Sequence, residues 1–179
     1  MNLSDMRFPR QLEADYDPEI IRGVLMKRTI RLWSAGMLDV PLITMSNPLK
    51  KALQTAMLKG HIRCGFEGIS DKLKKEEAGI AHVRERQGVP HGKRISRLIL
   101  FSNDGAERLY RHIEQLLLGH APRLLGCLLD MDGNTLGSLM AGRDRQIKIV
   151  MAEHKDAVSE ALRAIVGDRS DERNGGQQK

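Results

Sequence analysis

The sequence predicts an α/β sandwich, a small sheet covered by helices on both faces. Three observations lead there. Compact apolar runs stand at 97–101 (RLILF), 123–129 (RLLGCLL) and 147–151 (IKIVM), each of a length suited to a buried strand. Stretches with apolar residues at helical spacing lie between and after them. Strands and helices therefore alternate, and such chains cover a parallel or mixed sheet with helices.

The elements follow in order. Residues 1–16 lack periodicity and read as a loose arm. Asp17-Pro18 is a helix start, with an acidic cap and proline at the first helical position. Ile21, Val24, Leu25, Ile30, Leu32 and Trp33 then suggest a helix to about Leu38. Val40-Pro41-Leu42 reads as extended, because the residue before proline avoids the helical region. Ser46-Asn47-Pro48 opens a second helix whose Leu49, Leu53, Ala56 and Met57 share a face, and Gly60 ends it. Residues 61–64 are a short extended segment. Gly65 begins a third helix with Phe66, Ile69 and Leu73 inward. Gly79, Gly88, Pro90 and Gly92 make 78–96 a loop, with room for a short turn of helix.

After the 97–101 strand, Ser102-Asn103-Asp104-Gly105 is a turn that leads into a helix carrying Leu109, Ile113, Leu116 and Leu117, ending near Gly119. The 123–129 strand gives way to a turn at 130–134 and a short helix around 136–140. The 147–151 strand precedes a last amphipathic helix with Val158, Ala161, Leu162 and Ile165. The polar tail from Gly167 is expected to be disordered. The organisation expected is an N-terminal arm and helix over 1–46, one αβ domain over 47–167, and a tail over 168–179.

Composition narrows the function. The chain has 179 residues, 41% hydrophobic, with a net charge of +6. Residues 1–46 and 97–179 are each electrically balanced. Residues 47–96 hold 11 basic and 5 acidic side chains, so the entire excess sits there. A concentrated basic field suits a polyanion. Aromatics are only 3%, which argues against rows of stacked bases. Two cysteines are too few for a disulfide framework or a four-cysteine zinc site. With no membrane-length apolar run and no signal-type N-terminus, the expectation is a cytoplasmic protein with no membrane association.

Catalytic patterns are thin. Cys64 precedes a helix start, where a thiolate gains stability, but spacing alone places no histidine or acid beside it. Cys127 lies inside an apolar strand. The six histidines include no pair at the spacing of a zinc hydrolase, so no metal site is expected. Asp130-Met131-Asp132-Gly133-Asn134 resembles the start of a calcium loop, but its twelfth position is Ala141; an ordinary turn uses the same residues. Neither strict phosphate-loop pattern occurs, and no cofactor is expected.

One constellation is richer. The segment Lys59-Gly60-His61-Ile62-Arg63-Cys64-Gly65-Phe66-Glu67 runs from a helix end through a short strand to a new helix start. Gly65 lets a ligand approach the backbone, and the free amides of the helix start favour phosphate. Lys59, His61 and Arg63 are expected around this turn, with Lys72 and Lys75 one or two helical turns on. Glu67 reads either as a hydrogen-bond acceptor for a base or as a capping carboxylate in the first helical turn. Phe66 reads as core or as a stacking platform, with core favoured by its spacing to Ile69 and Leu73.

At this segment the sequence resembles a family. LKKALQTAMLKGHIRCGFEGISDKL, 49–73, looks like the opening of the kink-turn-binding ribosomal protein superfamily, typified by archaeal ribosomal protein L-seven-Ae and its small bacterial relatives. RLILFSND at 97–104 is similar to the family's central strand and polar turn, and LGSLMAGR at 136–143 to its glycine-containing short helix. IKIVMAEHKDAVSEALRAI resembles its last strand, loop and helix. The resemblance spans 49–77 and 97–166. It implies a three-layer αβα sandwich with a mixed sheet of about four strands, here with a helical N-terminal extension. It also implies binding of structured RNA, ribosomal or otherwise non-coding, without catalysis. The implied RNA surface is Gly65, Phe66 and Glu67 plus the loop Met151-Ala152-Glu153-His154. Phe66 stands where kink-turn binders carry asparagine, so the expectation is structured RNA in general.

Two other readings accompany this one. The first is a protein-interaction module using residues 17–38 around Trp33. The second is an enzyme with Cys64 as nucleophile.

Overall fold

A computed structural model describes residues 6–87, 93–142 and 145–174, with backbone alone at 87 and 168–174. The helices are α1 (Arg10–Asp15), α2 (Pro18–Met26), α3 (Asn47–Leu58), α4 (Phe66–Gln87), α5 (Glu107–Gly119), α6 (Gly133–Ala141) and α7 (Lys155–Asn174). The strands are β1 (Thr29–Arg31), β2 (Asp39–Ile43), β3 (Ile62–Cys64), β4 (Arg97–Phe101), β5 (Leu124–Leu129) and β6 (Ile149–Ala152). They form one sheet in the order β1-β2-β5-β4-β6-β3. β2, β5 and β4 run parallel, while β1, β6 and β3 join by antiparallel pairings.

The α/β class is as expected, but the mixed sheet has six strands rather than about four. Four of them lie within 47–167; the other two come from the N-terminal extension. The helix expected over 17–38 stops at Met26. Asp17 accepts the Glu19 amide at 2.7 Å and starts it as anticipated. Its inward stripe is Ile21, Val24 and Leu25, and the next inward positions fall at Arg28 and Thr29, so burial no longer supports a helix. The chain then forms a hairpin closed by the Arg31–Asp39 ion pair and the Gly36 amide bonded to the Trp33 carbonyl.

Three further stretches differ from expectation. The arm at 1–16 is anchored where it is described: Met6, Phe8 and Leu12 are buried in the same core as α7. The loop expected over 78–96 is helix as far as Gln87, because Ala78, Ile80, Ala81 and the charged residues beyond them all suit a helix and exposed Gly79 lowers its stability by only about 1 kcal/mol. Gly88, Pro90 and Gly92 lie outside the described residues. Finally, α7 runs to Asn174, into the stretch expected to lack regular structure.

Alternation along β4 sorts the core. Leu98 and Leu100 join a cluster with Leu49 and Leu53 of α3, Leu136 of α6 and Val158 and Leu162 of α7. Ile99 and Phe101 join a second cluster with Ile69 and Leu73 of α4 and Ile113 and Leu117 of α5. Successive strand residues point to opposite faces, so α3 and α4 pack on opposite sides of the sheet.

Candidate nucleic-acid interface

The turn between β3 and α4 is where the site expectation meets the structure. Gly65 has φ of +87°, a conformation that glycine alone adopts without strain, and nothing lies within 4 Å of where a β-carbon would be. Its amide donates to the Ile149 carbonyl at 3.0 Å, which docks the turn on the start of β6. Phe66 is half-buried, packs on the second cluster and lies 5.6 Å from the His112 ring. Glu67 is exposed in the first turn of α4.

The remaining expected residues do not all gather here. Because β6 runs antiparallel to β3, Ile62 pairs with Ala152 and Cys64 with Val150. The start of β6, not its end, is beside Gly65. Glu153 and His154 therefore lie at the far end of β3 with His61 and Lys59, about 13 Å of extended chain from Gly65. There the Glu153 amide donates to the His61 carbonyl at 3.0 Å. The His61 and His154 rings stack at 4.2 Å with an interplanar angle of 18°. A loop after β6 would border Gly65 only if β6 and β3 were parallel.

Arg63 is committed within the protein. Its Nε and Nη2 donate to the two Glu153 carboxylate oxygens at 2.8 and 3.3 Å, and its stem passes beside Gly68, where an added β-carbon would lie 3.9 Å from it. Lys72 pairs with Glu76 at 3.5 Å, and the same carboxylate binds Arg97 and Arg123. Arg94 pairs with Glu13. Lys50, Lys51, Lys59, Lys74, Lys75, Arg84, Arg86 and Lys93 have no ion pair among the described residues. These free cations are distributed, with the lysines of α3 on one side of the sheet and those of α4 on the other. The single ring of cations around Gly65 expected from sequence order is not what the fold builds.

What does border Gly65 was missed. A recess of about 290 Å³ is lined by Cys64, Gly65 and Phe66 on one side and Arg145, Gln146 and Lys148 on the other. Lys148 is held by Asp104, whose other oxygen accepts the Gly133 amide at 2.9 Å. Burial opposes ionisation of Asp104, but Lys148, Ser102 and the Gly133 amide outweigh it and keep the carboxyl below its usual range. Exposed Arg145 has no ion pair among the described residues. The reason the loop sits here is Gly137 in α6. A β-carbon on Gly137 would fall 1.4 Å from the Arg145 carbonyl oxygen, so only glycine lets that backbone cross the helix so closely. The only sequence hint was the glycine-bearing short helix at 136–143 preceding this loop.

The other candidate chemistry resolves simply. Burial pushes the Cys64 thiol up and Arg145 pulls it back only in part, the reverse of an activated nucleophile. Asp132 caps α6 by accepting the Asn134 and Thr135 amides, so the acidic turn is a helix start. Among the described residues, no group of three or more His, Cys, Asp or Glu side chains is placed to hold a metal ion. No helix among them is long and apolar enough to cross a membrane. No protein-family model matches the chain, and a comparison with curated proteins finds no match.

Proposed function

We propose that this protein binds structured RNA without acting on it chemically, through the α4 start and the facing loop at 145–148. The observation that carries the reading is the open, positive-φ Gly65 at the head of a 22-residue helix, with the Arg145 guanidinium, which has no ion pair among the described residues, lining the same recess. Backbone amides at a helix start attract phosphate, and an adjacent arginine adds a planar donor set. Lys74 and Lys75 extend the cationic surface along α4. The resemblance at 49–73 and 97–166 points the same way and suggests an RNA of the ribosome or of translation in the cytoplasm. The division of the core into two clusters supports reading the domain as three αβα layers.

The protein-interaction reading through 17–38 has less support. The inward stripe of α2 is buried, and Trp33 is engaged by Glu114 and covered by Arg111; what favours this reading is that Ile20, Met26, Ile30 and Met37 of the same segment are exposed. The test is titration of a labelled RNA hairpin with an internal loop at several salt concentrations. Arg145→Glu is expected to weaken binding at least tenfold and reduce the salt slope by about one. Lys50→Glu, on α3 and outside the lining of the recess, is expected to change affinity little. Equal losses from both variants, or no salt-dependent affinity in the parent protein, reject this surface.

A further inference from the structure

A groove of about 680 Å³ lies between α3 and α7, away from the Gly65 turn. Its floor is small, with Ala52 and Ala56 from one helix and Ala157 and Ala164 from the other; Tyr16 and His61 also line it. Larger residues one row deeper, among them Leu49, Leu53, Val158 and Leu162, close the core beneath. The trough exists because the helices are held apart by those residues while the row above them stops at a methyl group.

The charges on its walls are unequal in availability. Glu160 is bound by Arg163, whereas Asp156 accepts from the neutral Gln11 Nε2 at 3.2 Å and has no cation paired with it among the described residues, because the nearby His154 Nδ1 accepts the Asp156 amide. Arg163 is itself held between Glu160 and Asp15. Lys51 and Lys59 line the opposite wall with no ion pair among the described residues. They are eight residues apart on one helical face, about 12 Å. What the groove offers a ligand is therefore two ammonium groups, the His61 imidazole beside Lys59, and an apolar floor. Its volume lies in the roughly 300–1,000 Å³ range of small-molecule sites.

We infer that this groove is a binding site for a phosphorylated small molecule of nucleotide size, its phosphate held at the Lys59–His61 end and its body lying over the alanines toward Tyr16. Lysines act on phosphate as point charges and need no forked geometry, which fits a wall bearing ammonium groups and, among the described residues, no free guanidinium.

The test is calorimetric titration of the full chain with ATP, AMP and pyrophosphate, without added metal. Saturable binding of at least one nucleotide at submillimolar concentration is expected. The Lys51→Ala/Lys59→Ala double variant should bind it at least tenfold more weakly with an unchanged melting curve, and Arg145→Ala should bind it as the parent does. Absence of nucleotide binding by the parent overturns the inference, as does undiminished binding by the double variant. So does a double variant that loses RNA affinity when no nucleotide binds, because the groove would then belong to a polynucleotide surface.

Discussion

The indole Nε1 of Trp33 donates to the Glu114 carboxylate at 2.9 Å, joining the N-terminal hairpin to α5 across 81 positions of sequence. The other carboxylate oxygen accepts the Met37 and Leu38 amides, each at 2.7 Å. Glu114 is only 5% exposed, and the Arg111 guanidinium lies 4.6 Å from the Trp33 ring centroid. One buried acid thus ties down a segment whose own hydrophobic pattern is too short to hold it.

Removing that acid strands three donors. Glu114→Ala is expected to lower the unfolding free energy by about 3 kcal/mol in a urea titration, and Glu114→Gln, which retains one carbonyl, by less. Burial opposes ionisation of Glu114, but the bonds from Leu38, Trp33 and Met37 prevail and hold its carboxyl below the usual range. A carboxyl depressed in the folded state contributes stability that is complete above its unfolded value near 4.3 and is lost as pH falls through the folded value. The unfolding free energy of Glu114→Gln should therefore fall less between pH 7 and pH 3 than that of the parent.

Gly137→Ala tests how the loop beside Gly65 is held. The added methyl meets backbone, not the end of a flexible side chain. A loss of about 3 kcal/mol or more is expected by thermal or urea unfolding, at the upper end of what overpacking does. In the folded fraction, RNA affinity should fall with the displacement of Arg145. Unaltered stability would mean that α6 and this loop are further apart than described.

The Arg63–Glu153 pair is expected to be structural. Arg63 is 39% exposed on its side chain, so the pair should be worth about 0.5–1 kcal/mol in a double-mutant cycle. Arg63→Ala should change RNA affinity less than Arg145→Ala. The reverse ranking would return Arg63 to the RNA surface.

Cys64 should react slowly. With its thiol pushed up by burial, modification by an aromatic disulfide at pH 7.5 is expected to be several-fold slower than that of a free cysteine peptide. Arg145→Ala should slow it further, since the guanidinium is what favours the thiolate. Fast modification of the parent would revive the nucleophile reading.

Legibility in the sequence followed the range of the forces involved. The strands at 97–101 and 124–129 and the amphipathic helices of the second half were readable because continuous apolar runs and helical periodicity report burial directly. The Gly65 turn was readable because a helix end, a short strand and a glycine are adjacent in the chain. The stretch at 29–38 was misread because β1 and the turn after it are held by a strand anchored on β5 and by Glu114, neither of them nearby in sequence.

The sequence by itself determined the α/β class, the caps at Asp17 and Ser46, the buried stripes and the concentration of positive charge in 47–96. Tertiary structure alone decided which of those charges are available and what faces Gly65. Strand direction is set by crossovers and pairing between distant segments, so the antiparallel β3–β6 register brought Arg145 and Lys148 to the turn and carried Glu153 and His154 away from it. Ion pairing is likewise a matter of a few ångströms in space, and it took Arg63 and Lys72 into the protein's own network while leaving Lys51 and Lys59 at the groove with no ion pair among the described residues.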